Sequence, residues 1–340
     1  MTNSDDGATH DIQHLPQPRQ PSASTESACP PDLAGSDDCW FLTGATAAGK
    51  TEVGLALAHR LNAEIVSMDS MALYRGMDIG TAKPSAQQRA AVPHHLIDVI
   101  EPWEEYSLAQ YLESALQCVA EIRTRGRKVL FVGGTPLYLK GLLRGIFDGP
   151  PADWTLRNTL AEVARTQGPA GLHARLTQVD PETAARLHPN DTRRLLRALE
   201  VHALTGQPIS RLQRQFQLGR LAESCRVFVL DWPRPAIHQR IDQRVEAMFA
   251  QGLLDEVRRL TQLPKPLSRT ASQAVGYREV LQHLDGAADL PTTVERVKQH
   301  TRQLAKRQAT WFRSLTECQF VPLSDATPSC EVAVSIATTR

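Results

Sequence analysis

The amino-acid sequence predicts an α/β protein with a central, mainly parallel sheet and an inserted all-helical domain. Apolar runs typical of buried strands occur at residues 40–43, 63–68, 128–132 and 226–231. Segments with helical spacing of their apolar residues separate the first three runs, which is the alternation expected of parallel βαβ units. Between residues 148 and 218, the periodic segments all have helical spacing. That stretch therefore predicts a helical insertion beside the sheet.

The connection after the first predicted strand has two glycines, a lysine and a threonine at the spacing of a phosphate-binding loop. Gly44 and Gly49 permit close backbone approaches that a Cβ atom would prevent, so consecutive amides can face an anion. Lys50 adds a positive charge, and the Thr51 hydroxyl can bind a magnesium ion. A strand before the loop and a helix after it supply the context that a chance match lacks. The sequence thus predicts a P-loop NTPase-like core in which a diphosphate or nucleotide is bound by Gly44, Ala45, Thr46, Ala47, Ala48, Gly49, Lys50 and Thr51.

Two more predicted strands end in residues that can take part in catalysis or ligand binding. Asp69 follows the run at 63–68, and in an open parallel sheet ligands bind at that edge. A carboxylate there can act as a base, although a helix or turn cap is the common role of such an aspartate. The strand at 128–132 ends in Gly133, Gly134 and Thr135. P-loop ATPases place an acidic residue there to hold magnesium, so this ending argues against simple ATP hydrolysis.

Composition excludes several classes of protein. The chain has 340 residues and a formal net charge of +1, which leaves room for one large or two ordinary domains. No apolar stretch approaches the length of a membrane span, and the N-terminus lacks a secretory signal pattern. The six cysteines are scattered, which favours reduced thiols in a cytoplasmic enzyme over a disulfide framework or a zinc site.

Changes of composition along the chain predict its organisation. The first 36 residues are rich in Ser, Pro, Asp, Gln and Thr and contain too few large apolar side chains to fold. The tail after residue 323 also has the composition of an unstructured segment. The predicted parts are a disordered extension at 1–36, the first part of the P-loop core at 37–147, the helical insertion at 148–218, the completion of the core with basic C-terminal helices at 219–323, and a disordered tail at 324–340.

Basic side chains cluster in the second half of the chain. Arg193, Arg194 and Arg197 form a stripe along one predicted helix, for which a solvated face is the default explanation. The last long helix presents a cationic side with few acids interleaved; its members are Lys298, Arg302, Lys306 and Arg313. A one-sided cationic face of this kind can follow a phosphate backbone.

Taken together, these motifs resemble those of the bacterial tRNA dimethylallyltransferases. Besides the phosphate loop, Asp69-Ser70 and Gly133-Gly134-Thr135, the matching segments are YRGMDIGTAKP at 74–84, VGYR at 275–278 and RQLAKRQ at 302–308. They occur in the family's order, and the resemblance covers about residues 38–322. Ala45 and Ala48 stand where many relatives have Pro and Ser. No Cys/His zinc pattern follows the catalytic part, which favours a bacterial-type enzyme.

The resemblance implies transfer of a dimethylallyl group from dimethylallyl diphosphate to N6 of adenine 37, beside the anticodon of a tRNA. It implies Asp69 as the base, Thr135 between diphosphate and base, Arg244 as a clamp on the leaving diphosphate, and Thr51 as a support for Mg²⁺. It also implies a cytoplasmic monomer with no membrane partner. The residues it places against the tRNA anticodon stem-loop are Asp69, Ser70, Met71, Ala72, Thr135, Arg157, Arg193, Arg194, Leu195, Leu196, Arg197, Gln273, Ala274, Val275, Gly276, Tyr277, Arg278, Arg302, Lys306 and Arg307.

Two other functions are compatible with a phosphate loop. A P-loop small-molecule kinase would use Asp69 toward a substrate hydroxyl and would need neither RNA nor the basic helix. An RNA-binding NTPase switch would hydrolyse a nucleotide when RNA binds, which the ending of the strand at 128–132 disfavours.

Overall fold

The structure is a computed structural model that describes residues 33, 35–147, 149–150, 152–213, 222 and 225–339. The predicted N-terminal extension therefore lies almost entirely outside the described residues. The strands are β1 (Cys39–Gly44), β2 (Ala63–Ser67), β3 (His94–His95), β4 (Lys128–Val132), β5 (Val227–Asp231) and β6 (Cys318–Pro322). The helices are α1 (Lys50–Leu61), α2 (Ala86–Ala91), α3 (Leu108–Thr124), α4 (Pro136–Arg144), α5 (Trp154–Val179), α6 (Pro181–Arg186), α7 (Thr192–Thr205), α8 (Ile209–Gln213), α9 (Arg234–Ala250), α10 (Leu253–Thr261), α11 (Arg269–Ser272), α12 (Tyr277–Leu284), α13 (Leu290–Arg313) and α14 (Ser329–Thr338).

The six strands form one sheet in the order β3-β2-β4-β1-β5-β6, and every pair is parallel. This confirms the predicted α/β class with a parallel sheet. Strand β1 lies between β4 and β5, and residues Cys39–Gly44 are all buried. Since parallel strands share the direction of their carboxyl ends, the loops after β1, β2 and β4 meet at one edge. These loops contain the phosphate loop, Asp69 and Gly133-Gly134-Thr135.

The described residues form two compact units, one of residues 33–145 with 222–339 and one of residues 146–213. In the larger unit, apolar residues of β1, β2, β4 and β5 pack with those of α1, α9 and α13 in one core. Helix α1 contributes Val53, Leu57 and Leu61, which the helical spacing in the sequence predicted. The four predicted strands considered above are therefore confirmed as strands.

The tail after residue 323 was expected to be unstructured, and that expectation is wrong. Residues Ser329–Thr338 form α14, and Val332, Ala333 and Ile336 are buried in the same core as α1. The helix is short and rich in β-branched residues, so its intrinsic helix propensity is low. Packing of its apolar face against the core stabilises it instead. Strand β6 at the edge of the sheet was not predicted from the sequence either.

The smaller unit is helical in its described residues, in line with the predicted insertion. Helix α5 is interrupted at Gly168, whose φ of 70° is followed by Pro169. Its two halves pack with α6 and α7 around a separate apolar core that includes Leu160, Leu176 and Leu195. Asp153 and Asp191 cap α5 and α7 by accepting hydrogen bonds from backbone amides of the first turn. The exact domain limits stay a prediction.

None of the helices in the described parts of the chain is long and apolar enough to cross a membrane. Among the described residues, Cys39, Cys118, Cys318 and Cys330 have free thiols.

Candidate active site

A cleft of about 960 Å³ lies at the carboxyl edge of the sheet in the larger unit. The phosphate loop and the segments after β2 and β4 form its floor, and side chains from α9 and α13 line it as well. Loop residues 80–84 and the segment 273–277 contribute further walls. The predicted site residues of this unit that line the cleft are Thr46, Ala47, Ala48, Gly49, Lys50, Thr51, Asp69, Ser70, Met71, Ala72, Thr135, Arg244, Gln273, Ala274, Val275, Gly276, Tyr277 and Arg307.

The phosphate loop has the backbone that its glycines predict. Gly44 and Gly49 have φ values of 148° and 86°, which residues with a Cβ atom rarely adopt. Ala47 also has a positive φ, of 64°, a strained conformation for a residue other than glycine. Its carbonyl oxygen accepts a hydrogen bond from Nε of Arg240 at 3.0 Å. The neighbouring carbonyl of Ala48 accepts one from the Trp232 indole, also at 3.0 Å, so the strained loop is held by α9 and the end of β5.

Arg240 and Arg244 lie one turn apart in the sequence, where both could reach a single anion. The structure gives Arg240 a different role. In the structure, the Arg240 guanidinium stacks 4.3 Å from the centroid of the Trp232 ring and holds the loop backbone. Arg244 is left as the arginine of α9 that lies near both Lys50 and Asp69.

Lys50 and Arg244 bring positive charge into the cleft. The Lys50 ammonium donates hydrogen bonds to the carbonyl oxygens of Gly44 and Ala45, at 3.1 and 2.8 Å. Burial lowers the pKa of Lys50 to about 8, repulsion from Arg244 adds to this, and attraction to Asp69 opposes it. Burial also lowers the pKa of Arg244, against attraction from Asp69 and Glu52. Within the described part of the chain, neither of these desolvated cations has an acidic hydrogen-bond partner. This favours an anionic ligand, because an anion would compensate their burial.

Asp69 lies in a turn that the end of β4 supports. Its Oδ1 accepts a hydrogen bond from the Met71 amide at 2.9 Å, which fixes one carboxylate oxygen. The Thr135 hydroxyl accepts a hydrogen bond from the Ser70 amide at 3.0 Å, so Thr135 holds this turn. Gly133 allows the two segments to approach, since a Cβ atom there would lie 2.0 Å from the Met68 carbonyl oxygen. The structure thus brings Thr135 to the turn that carries Asp69, and their roles in catalysis stay a prediction.

A metal ion at this site would depend on ligands from the substrate. Within the described part of the chain, no cluster of three or more His, Cys, Asp or Glu side chains could hold a metal ion. Thr51, the residue that follows Lys50 in the sequence, lines the cleft. This donor set fits Mg²⁺, which usually binds one or two protein oxygens together with phosphate oxygens and water.

The segment 273–278 lines the cleft but uses several side chains for support. Tyr277 is buried, and its hydroxyl donates a hydrogen bond to a carboxylate oxygen of Glu256 at 2.6 Å. Burial, with the nearby Glu256 carboxylate, raises the pKa of Tyr277. Glu256 also accepts hydrogen bonds from the amides of Asp78, Ile79 and Gly80, so this pair holds the loop that walls the cleft. Arg278 donates to the buried carboxylate of Glu279 at 2.5 Å.

Ion pairs with another helix neutralise part of the positive charge that the sequence of α13 indicates. Arg302 pairs with Asp242 at 2.6 Å, and Lys298 pairs with Glu246 at 2.8 Å. Both acids belong to α9, so these pairs could not be predicted from the spacing of residues within α13. Lys306 and Arg307 are exposed, and Arg307 lines the cleft. Lys306 and Arg307 therefore present adjacent exposed positive charges in the C-terminal half of the helix.

In the insertion, the predicted tRNA-binding residues fall into two groups. Arg157 and Arg197 both donate to the fully buried Glu200 carboxylate, at 2.9 and 2.7 Å, and so stabilise the helical core. The Leu195 side chain is buried in that core and Leu196 packs against it. Arg193 and Arg194 are exposed on α7. Contact of any of these residues with RNA stays a prediction.

Two residues at the site, Glu256 and Trp232, were not identified from the sequence as parts of it, and Gln308 was identified only as the end of a segment expected to contact tRNA. Glu256 and Trp232 act through contacts between distant segments, for which a single sequence carries no signal. Gln308 is 8% exposed on α13 and contacts the phosphate loop. It lies four residues after Leu304 and four before the buried Phe312, and an amide at that spacing on an apolar stripe indicates a buried polar contact.

Comparisons with known proteins identify the family. A family model described as IPP transferase matches residues 72–315. The tRNA dimethylallyltransferase of Rhodopirellula baltica is 50% identical over 309 residues, which cover 88% of this chain and 92% of that protein. The solved tRNA isopentenylpyrophosphate transferase of Bacillus halodurans superimposes with a TM-score of 0.63 at 36% identity, covering 89% of this chain and 97% of its own.

A solved eukaryotic dimethylallyltransferase acting on tRNA has a TM-score of 0.70 at 28% identity, with 84% of this chain and 73% of that chain covered. These matches span both parts of the sheet and the residues between them, and they agree with the motifs that form the cleft. The chain belongs to the tRNA dimethylallyltransferase family, a family of prenyltransferases.

Proposed function

We propose that this protein transfers a dimethylallyl group from dimethylallyl diphosphate to N6 of adenine 37 in tRNA and releases diphosphate. The proposal rests on the set of residues that line the cleft. A phosphate loop with two desolvated cations faces Asp69, and the strand next to it ends in Gly133-Gly134-Thr135 without the acid of an ATPase. Such a site binds a diphosphate as a leaving group and supplies a base, but lacks the residue that polarises water.

The donor half of the reaction uses preorganised positive charge. The amides of the phosphate loop, Lys50 and Arg244 stabilise the negative charge that develops on the diphosphate as the C–O bond breaks. The hydrogen bonds of Lys50 to Gly44 and Ala45 hold its ammonium at the loop. Thr51 and the diphosphate oxygens would hold Mg²⁺, which neutralises further charge on the leaving group.

The acceptor half requires an adenine outside its base stack. The N6 amine of a stacked base cannot reach a cleft of this depth, so the base must flip into it. The N6 lone pair then forms the bond to C1 of the dimethylallyl group while diphosphate leaves with the electron pair of the C–O bond. Asp69 accepts the proton that N6 loses, and Thr135 holds the turn that carries Asp69.

Exposed cations are the groups suited to hold the anticodon stem-loop. Lys306 and Arg307 on α13, with Arg193 and Arg194 on α7, can contact phosphates, because such contacts position an RNA without reading its sequence. Arg157 and Arg197 contribute indirectly, by fixing the helices of the insertion through Glu200.

A transfer assay with two labelled donors tests this function. The protein is incubated with unmodified tRNA and labelled dimethylallyl diphosphate, and separately with tRNA and labelled ATP. We expect label in tRNA from the prenyl donor only, and none when the tRNA carries guanine at position 37. Label from ATP appearing on a small acceptor would support the kinase, and RNA-stimulated release of phosphate would support an NTPase switch.

A further inference from the structure

Gln308 joins the two halves of the cleft. Its Oε1 accepts a hydrogen bond from the amide of Thr46 in the phosphate loop at 2.9 Å. Its Nε2 donates one to the carbonyl oxygen of Gly134, after β4, at 2.6 Å. The side chain is 8% exposed and reaches these groups from α13. One buried amide therefore bridges the segment that faces the donor and the segment that supports the base.

The two bonds define the orientation of the side chain. A backbone amide can only donate and a backbone carbonyl can only accept, so the amide oxygen must face Thr46 and the amide nitrogen must face Gly134. Both polar atoms of Gln308 are thus occupied within the protein. This differs from the role that the family resemblance implies for the segment from Thr301 to Gln308, which is contact with tRNA.

The bridge extends to Asp69 through a short series of contacts. Gly134 is followed by Thr135, whose hydroxyl accepts a hydrogen bond from the Ser70 amide at 3.0 Å. Ser70 follows Asp69, and the Asp69 carboxylate accepts a hydrogen bond from Met71 in the same turn. We propose that Gln308 is a positioning residue that sets the spacing between the phosphate loop and the turn carrying the base.

This inference rests on the proposed function, because spacing matters only if both halves act in one displacement. Attack of N6 on C1 requires the reacting atoms at near-contact distance and in line, and a misplacement of about 1 Å can cost about 100-fold in rate. The phosphate loop and Asp69 belong to different βα connections, so their spacing is not set by local sequence. Gln308 sets it by hydrogen bonds to both sides.

Substitution of Gln308 by methionine tests the proposal. Gln308→Met retains the length of the side chain and loses both hydrogen bonds. We expect the single-turnover rate with both substrates saturating to fall about 10- to 100-fold, with the Kd for tRNA and the KM for dimethylallyl diphosphate changing less than about threefold. Gln299→Met is the matched control, since Gln299 lies on the same helix, is exposed, and stands outside the segment expected to contact tRNA. We expect that control to behave as wild type.

A double-mutant cycle tests the hydrogen bond between Gln308 and Gly134 with a second, independent variant. A Cβ atom on Gly134 would lie 2.9 Å from Nε2 of Gln308, so Gly134→Ala should displace the amide. If the hydrogen bonds of Gln308 position the two segments, Gly134→Ala should slow transfer in the wild-type background. The same substitution should have little further effect in the Gln308→Ala background, where the side-chain amide is absent. Fully additive losses would show that the two residues act independently.

The outcomes separate this inference from the proposed function. If wild type transfers no prenyl label to tRNA, the proposed function fails before any variant is compared. If wild type is active but Gln308→Met matches Gln299→Met in single-turnover rate, or changes only the KM for the donor, the positioning role is wrong. Thermal unfolding of each variant, followed before the assays, ensures that rates are compared between folded proteins.

Discussion

At the level of single residues, the Asp69 carboxylate lies in the cleft near two cations that attract it. Asp69 interacts electrostatically with Lys50 and with Arg244, and these two repel each other. Glu52 also lines the cleft and attracts Arg244, but it belongs to the first turn of α1. Asp69 instead lies in the turn that Thr135 and Gly133 bring against β4. The geometry therefore favours Asp69 over Glu52 as the base.

Substitution of Asp69 by asparagine should remove the proton acceptor and leave the shape of the turn. We expect the single-turnover rate of transfer to fall by about 10²- to 10⁴-fold, the range typical of general-base catalysis. The affinity for tRNA should change little, which a filter-binding titration would measure. Glu52→Gln is the control, and most of its activity should remain. Near-normal turnover by Asp69→Asn, or a larger loss in Glu52→Gln, would contradict the assignment of the base.

At the level of elements, a buried carboxylate joins two helices of the insertion. Glu200 on α7 is fully buried and accepts hydrogen bonds from Arg157 and Arg197 and from the Asp153 amide. Burial acts to raise the pKa of Glu200, but the hydrogen bonds from the two arginines outweigh it and lower the pKa below its ordinary value. The ion pairs thus tie α5 to α7 where the first turn of α5 begins.

The lowered pKa of Glu200 gives a pH dependence of stability with a definite sign. A carboxylate with a lowered pKa in the folded state stabilises the fold at pH values above its unfolded pKa, about 4.3. That contribution is lost as the pH falls through the lower, folded pKa. We expect Glu200→Gln to reduce the free energy of unfolding by about 1–3 kcal/mol at pH 7, measured by urea unfolding. The difference from wild type should shrink below about pH 4; a difference that is constant from pH 7 to pH 3 would exclude this linkage.

The elements also show which features a single sequence can predict. Strands β1, β2, β4 and β5 were identified because a buried parallel strand is a continuous apolar run, which is a local signal. Helix α14 was not, because its β-branched residues give a weak local signal and its stability comes from packing. The phosphate loop, Asp69 and Thr135 were found because motifs at strand ends define them. Glu256 was missed, and Gln308 was expected to contact tRNA rather than the phosphate loop, because both act through contacts between distant segments.

At the level of the whole molecule, net charge says little about the capacity to hold RNA. The chain carries a formal net charge of +1, yet its partner is proposed to be a polyanion. Acidic partners on α9 neutralise Lys298 and Arg302, whereas Lys306 and Arg307 are exposed further along α13. The cations available to phosphates are therefore a subset selected by tertiary packing. The sequence alone assigned Arg302 and Lys306 the same role.

The salt dependence of tRNA binding can distinguish these two sets of cations. Each cation that contacts a phosphate adds about 0.7–0.9 to the slope of log K against log[salt], because counterions are released. The double substitution Lys306→Gln and Arg307→Gln should reduce the slope by about 1.4–1.8, measured by binding titrations between about 50 and 200 mM salt.

Lys298→Gln is the matched control, since its ammonium is already paired with Glu246 and Glu295. Its slope should stay within error of the wild type, and Arg302→Gln should give a change intermediate between the two because Asp242 competes with phosphate for that guanidinium. An unchanged slope in the double variant would mean that the exposed end of α13 is only solvated. The binding of tRNA would then have to depend on the exposed arginines of α7.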